Sequence, residues 1–273
     1  MHFTILFILL FNGPLEGIEN RAMYAASTPA NEVVKAFIGI PINDSVDFIR
    51  WKLTMDGGKY EMNCTYGISQ ANTNGFVGGG KTVVIKGTYE RRNNYYHFLN
   101  GKRILKAIEV NADILHLLNG NNSFMNGNGG WSYTLNSTNP SGSAFITVQV
   151  SHKTFKDSVA FEGRTPCGIP GLMPAGTPCY KLKWYLVLYA DEKSEVSGTF
   201  RVLGTRWRDR LNGNGRWQII DRVKGQTIYR LSDQHGREMI YLSRLAENIL
   251  AFTDSQGRLL VGDADFSYTL NRR

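Results

Sequence analysis

At 273 residues, with 42% hydrophobic and 20% charged residues, the chain is globular and not a disordered polymer. It is long enough for two domains of ordinary size, each able to bury a core without a metal or several disulfides. Its net charge of +8 is uneven, with 12 basic and 10 acidic residues through Asn136 against 19 and 13 after it, so +2 and +6. So modest an excess describes a solvated face, and no nucleic-acid partner is expected.

The first element is an apolar run from Phe3 to Phe11 broken by one Thr. It is too short to span a bilayer but suits the h-region of an export signal. No Lys or Arg precedes it, and Ala25, Ala26 and Ser27 offer small residues for cleavage. Residues 1–26 are expected to be a signal peptide and 27–32 (STPANE) a linker. The mature chain is then exported to the periplasm, the cell envelope or the exterior, and is membrane-peripheral at most. The alternative is that this stretch supplies a first strand of the fold.

From Val33 the chain reads as β-structure. VVKAFIGI opens a first unit, and FIRWKLTM follows with Ile49, Trp51, Leu53 and Met55 on one face. KYEMNCTYGI, KTVVIKGTYERR, YYHFL, ILKAIEV, ILHLL and WSYTLN continue the pattern, separated by turn residues and with no amphipathic helix. A second unit repeats the order, with SVAFEG set against VKAFIG and LKWYLVLY against IRWKLTM, so that Trp184 stands opposite Trp51. Ile114–Asn136 and Ile249–Asn271 align without a gap; eight of 23 positions are identical, five of them in the run SYTLN. Such self-similarity identifies a tandem duplication.

The expected fold is all-β: two tandem small antiparallel barrels, lipocalin-like, at 33–136 and 158–273. Residues 137–157, including strand-like AFITVQVSHKTF, are a linker or bridging strand. The outward Tyr185, Val187 and Tyr189 form an apolar strip that predicts cover by the other barrel. In SYTLN, Tyr133 and Leu135, like Tyr268 and Leu270, are expected to face the core and seal each barrel.

Chemistry-bearing motifs are few. Gly75–Thr82 (GFVGGGKT) satisfies a phosphate-loop pattern, but polar residues precede it and a β-branched run follows, so its glycines read as turn residues. Cys167 and Cys179 flank a Pro/Gly-rich loop and either close it as a disulfide or hold a soft metal with a His or Met173. Cys64 reads as a buried free thiol. The five histidines show no ligand spacing. Asp263 and Asp265 are set against Asn128 and Gly130 and read as a turn before the last strand. Arg206, Arg208, Arg210, Arg216 and Arg222, interleaved with tryptophans, alternate as any barrel strand does. No motif calls for a cofactor, and no nucleophile–base–orienter set is visible.

In the second unit, Phe161-Glu162-Gly163 followed by Pro166-Cys167, Gly198-Thr199-Phe200, Gly215-Arg216-Trp217, Leu250–Gly257 and Tyr268-Thr269-Leu270 resemble the NlpE-type envelope lipoprotein barrel. The resemblance implies a closed, short-strand β-barrel and a role in copper resistance or envelope stress. That family carries a C-x-x-C after the proline, whereas eleven residues separate Cys167 from Cys179 here, and the lipid-anchor cysteine is absent. The expectation is a non-catalytic exported envelope protein that senses or binds a protein or small molecule. The alternative is a lipocalin-like carrier of a small apolar ligand, which requires an open apolar cavity.

Overall fold

Alternation decides the architecture. In Phe48–Asp56, Trp51, Leu53 and Met55 are buried and Lys52 is exposed, and the same inward–outward rhythm runs through Leu182–Asp191. Strands with one apolar face must bury it, and eight of them closing on themselves leave no edge. In this computed structural model the chain forms two closed eight-stranded barrels in tandem, each an antiparallel meander. The structure describes residues 21–142, 155, 157–172, 178–191, 194–204, 213–220 and 226–273.

The first barrel is built from β1 (Ala22–Pro29), β2 (Phe48–Asp56), β3 (Lys59–Gly67), β4 (Lys81–Arg92), β5 (Tyr95–Asn100), β6 (Arg103–Asn111), β7 (Ile114–Leu118) and β8 (Thr134–Ser137). The second uses β9 (Ser158–Thr165), β10 (Leu182–Asp191), β11 (Ser194–Gly204), β12 (Asn214–Ile220), β13 (Ile228–Asp233), β14 (Glu238–Ala246), β15 (Ile249–Thr253) and β16 (Thr269–Arg272). In each, the last strand pairs with the first: β8 with β1, and β16 with β9.

Three expectations are corrected. The first barrel begins at Ala22, not 33: β1 pairs with both β2 and β8, so residue 26, the expected leader boundary, falls inside a barrel strand. STPANE is no linker, since it finishes β1 and supplies Asn31, whose side chain caps a helix. That helix, α1 (Glu32–Ile38), replaces the expected strand VVKAFIGI. Asn31 accepts from the Val34 N–H, Gly39 ends the helix in the left-handed region at φ 85°, and Val34, Phe37 and Ile38 are buried across the barrel's end. The true counterpart of β9 is therefore β1. Trp51 Nε1 donates to Thr28 Oγ1 at 2.8 Å, and Trp184 Nε1 donates to Thr165 Oγ1 at 2.9 Å. Each threonine is followed by a proline, and the second barrel has Ile169 and Leu172 of the Cys167–Cys179 loop where the first has its helix.

The barrels also share a corner device. A Cβ on Gly87 would sit 2.2 Å from the Leu99 carbonyl and 2.9 Å from the Tyr60 ring. One on Gly215 would meet the Ser232 carbonyl at 2.0 Å and the Phe200 ring at 2.8 Å. Glycine lets an aromatic ring lie across the strand at both places.

The barrels pack through the outer faces of β6, β7, β14 and β15. Ile108, Val110, Ile114 and Leu118 bury against Leu245, Ile249, Ala251 and Leu259. The strip on β10 expected to fill this role does not: Tyr189 is 40% exposed, and the Tyr185 ring lies under the Arg273 guanidinium. Polar contacts flank the apolar seam. Asn136 Oδ1 accepts from Gly262 N, and Asn271 Oδ1 accepts from Gly127 N, so the same bond is made in both directions. Thr134 and Thr269 meet between them, Oγ1 to Oγ1 at 3.5 Å. The interface is that of a pseudo-twofold dimer within one chain.

Candidate functional site

The two barrel mouths occupy equivalent positions but differ in content. In the first, Tyr24, Tyr96 and Glu109 point inward at the strand ends opposite α1. The Tyr24 hydroxyl donates to the Ala112 carbonyl at 3.1 Å, and the Tyr96 hydroxyl donates to Glu109 Oε2 at 2.8 Å. Arg91 pairs with the same carboxylate at 2.9 Å and lies over the Tyr96 ring. Burial, with Glu109 and Asp113 adding to it, pushes the Tyr24 phenol up to about 12. This mouth is stoppered by its own tyrosines.

Pairing registers equate Phe161 with Tyr24, Leu188 with Met55, Tyr229 with Tyr96 and Arg244 with Glu109. With phenylalanine in place of Tyr24, the second mouth keeps a cavity of about 260 Å³. Val159, Phe161, Leu188 and Leu250 form its apolar floor, and Phe155 closes one side. Arg244 and Tyr229 are buried in the wall, whereas Asp157 and Ser158 are exposed at the rim. At the same rim Arg272 Nη1 pairs with Glu247 Oε1 at 3.2 Å. Arg244 Nε and Nη2 reach the carbonyls of Ala246 and Glu247, both at 3.4 Å. Burial raises the Tyr229 phenol, and the Arg244 charge beside it pulls in the opposite direction.

The motifs singled out in the sequence lie elsewhere. Cys167 and Cys179 are joined in a disulfide with Cα atoms 6.1 Å apart, so neither sulfur stands as a thiolate ligand. Met173, Arg206, Arg208, Arg210 and Arg222 fall outside the described residues, as does all of AFITVQVSHKTF except Phe155. Among the described residues no three His, Cys, Asp or Glu converge as metal ligands would. In Gly75–Thr82, a single 3-10 turn at Val77–Gly79 leads directly into β4, with no helix N-terminus to receive a phosphate. Arg216 is exposed on the face opposite buried Trp217.

Asp263 Oδ1 accepts from the N–H groups of Asp265 and Phe266, as Asn128 Oδ1 does from Gly130 and Trp131. The turn reading therefore holds for the pair. Asp265 has a second job: it bonds Arg50 at 2.5 Å and Asn74 at 2.7 Å across the barrel interface. Cys64 is buried and free, with its thiol pushed by burial up to about 12. His116 is buried at the interface, where Nε2–H donates to the Met125 carbonyl, so Nδ1 accepts from Thr134 Oγ1. Burial holds its pKa down at about 4.

Fold and site define a tandem eight-stranded β-barrel protein with one stoppered and one hollow mouth. No protein family, no curated protein and no solved structure matches the chain.

The hollow mouth is not found from the sequence because nothing there singles out Arg244 or Glu109 among the charges of the strands. Their alternation with the inward Leu242, Ile240 and with Ala107, Leu105 was the signal that places both inside.

Proposed function

We propose that this is a non-catalytic binding protein of the cell envelope or exterior, whose second barrel takes a small ligand with an apolar body. The first barrel serves as its fixed partner. The cavity of about 260 Å³ in the second mouth carries this reading, set against the tyrosine-filled mouth of the first. Its volume lies just below the roughly 300–1,000 Å³ of common ligand pockets, which suits a small ligand. The disulfide favours an oxidising compartment, in keeping with the apolar Phe3–Phe11 run. The residues that resemble envelope barrels point to the same setting.

The test is titration of the intact protein with an environment-sensitive apolar dye, followed by Leu188→Trp, which fills the floor. One saturable site that disappears in the variant, with the fold retained by circular dichroism, is expected. No saturable binding, or binding untouched by Leu188→Trp, rejects the assignment.

A further inference from the structure

We infer that the junction of the two barrels binds a single halide ion, for which chloride is the natural candidate, between Arg50, Arg164 and Lys181. The site shares no residue with the hollow mouth and does not depend on the role proposed for it. Both barrels build it: Arg50 comes from the first, whereas Arg164, Lys181 and Asp265 come from the second, and all four line one small cavity. Three cations there face one carboxylate. That carboxylate is already engaged, since Asp265 Oδ1 accepts from Arg50 Nη2 at 2.5 Å and Oδ2 accepts from Asn74 Nδ2 at 2.7 Å.

Among the described residues Arg164 and Lys181 form no ion pair. Aromatic faces hold both cations in place without cancelling their charge. The Arg164 guanidinium lies 5.5 Å from the Trp131 ring centre, and Lys181 Nζ lies 5.3 Å from that of Phe266. Glu162, two residues before Arg164 on the same face of β9, packs instead against Gly129, where a Cβ would sit 2.5 Å from its Oε1. Across the β9–β10 register Arg164 stands directly opposite Lys183, a second cation, and like charges so placed repel. Lys181 registers that repulsion: burial lowers its pKa, Arg164 and Lys183 lower it further, and Asp265 pulls the other way. Arg50 Nε is buried without an acceptor, and a buried N–H of this kind calls for one. The cavity measures about 10 Å³, room for one water-sized body. A halide is little larger than a water and accepts from donors on every side, whereas phosphate, sulfate and carboxylate ligands are too bulky. A water molecule fits by size but brings no charge to set against the three cations.

An ion gripped by both barrels should stabilise the intact chain. The experiment measures thermal unfolding in sodium chloride and in sodium gluconate at equal ionic strength, which holds general screening constant. It also follows the broadening of the chloride NMR signal by the protein. Saturating chloride is expected to raise the melting temperature by about 2–4 °C over gluconate. Bromide should compete the broadening away, and gluconate and sulfate should not. Arg164→Gln and Lys181→Gln should each lose the chloride-specific rise and most of the broadening, while Arg201→Gln, an exposed cation on β11 outside the cavity, keeps both. Equal stability in the two salts overturns the inference, as does a chloride response untouched by both cavity variants. Displacement by sulfate overturns the halide assignment. If neither cavity variant folds, the wild-type comparison of chloride, bromide, sulfate and gluconate decides.

Discussion

Asn136 and Asn271 make the same hydrogen bond across the two barrels: Asn136 Oδ1 accepts from Gly262 N at 2.9 Å, and Asn271 Oδ1 accepts from Gly127 N at 2.7 Å. Asn136 also donates to the Asp263 carbonyl at 3.0 Å. The last residue of the twice-written SYTLN is therefore an interface residue in both copies. Replacing either asparagine by leucine leaves a partly buried glycine N–H without its acceptor, at a cost of about 1–3 kcal/mol. Urea unfolding of Asn136→Leu and Asn271→Leu should show losses of that order, and a change below about 0.5 kcal/mol in both would deny the bond its role.

His116 makes the stability acid-sensitive. An unfolded histidine titrates near 6.5, whereas burial holds His116 at about 4 in the fold. Between those values the unfolded chain binds the extra proton, so stability is full above about pH 6.5 and falls as the pH drops toward 4. The total comes to about 3 kcal/mol. The second copy has alanine at this position, so His116→Ala is the informative variant. Its deficit against wild type at pH 7 should shrink by pH 4, read from urea midpoints at each pH. A constant deficit refutes the assignment.

Cys64 should be chemically silent in the fold. It points into the first barrel beside Trp51, and its thiol is pushed up to about 12. At pH 8 only about one molecule in ten thousand carries the thiolate. An aromatic disulfide reagent should modify no thiol in the native protein and one per chain in urea. Rapid native labelling would place Cys64 outside the core.

Removing the Cys167–Cys179 bond as a double alanine variant should destabilise the second barrel by about 3 kcal/mol, the loop-closure value for so short a loop. Hydrogen exchange locates the effect: Ser158–Thr165 and Leu182–Asp191 should lose protection while Ala22–Pro29 and Phe48–Asp56 keep theirs. Uniform loss in both barrels contradicts a local staple.

Much of the architecture was readable from period-two alternation and the repeat. Trp51 and Trp184 stand in equivalent places because the flanking strands alternate cleanly, and the Asn128 and Asp263 turns show in their side-chain chemistry. The first strand was misread because VKAFIG looks like SVAFEG by composition. The physical homology lies in Thr28-Pro29 and Thr165-Pro166, where a threonine hydroxyl receives a tryptophan N–H, and a hydrogen bond between strands leaves no periodic trace. A seven-residue helix such as α1 shows too little periodicity to be seen before its cap is known. For SYTLN, alternation put Tyr and Leu inside correctly, but only tertiary packing reveals that the polar face meets its own copy.

The interface is built on a plan that two identical chains would use, yet its halves are covalently one. In a true homodimer every substitution at such a contact occurs twice and must suit itself. Here each half drifts singly. His116 could arise across from Ala251, Asp265 could find Arg50, and one mouth could close on tyrosine while the other stayed hollow around Arg244.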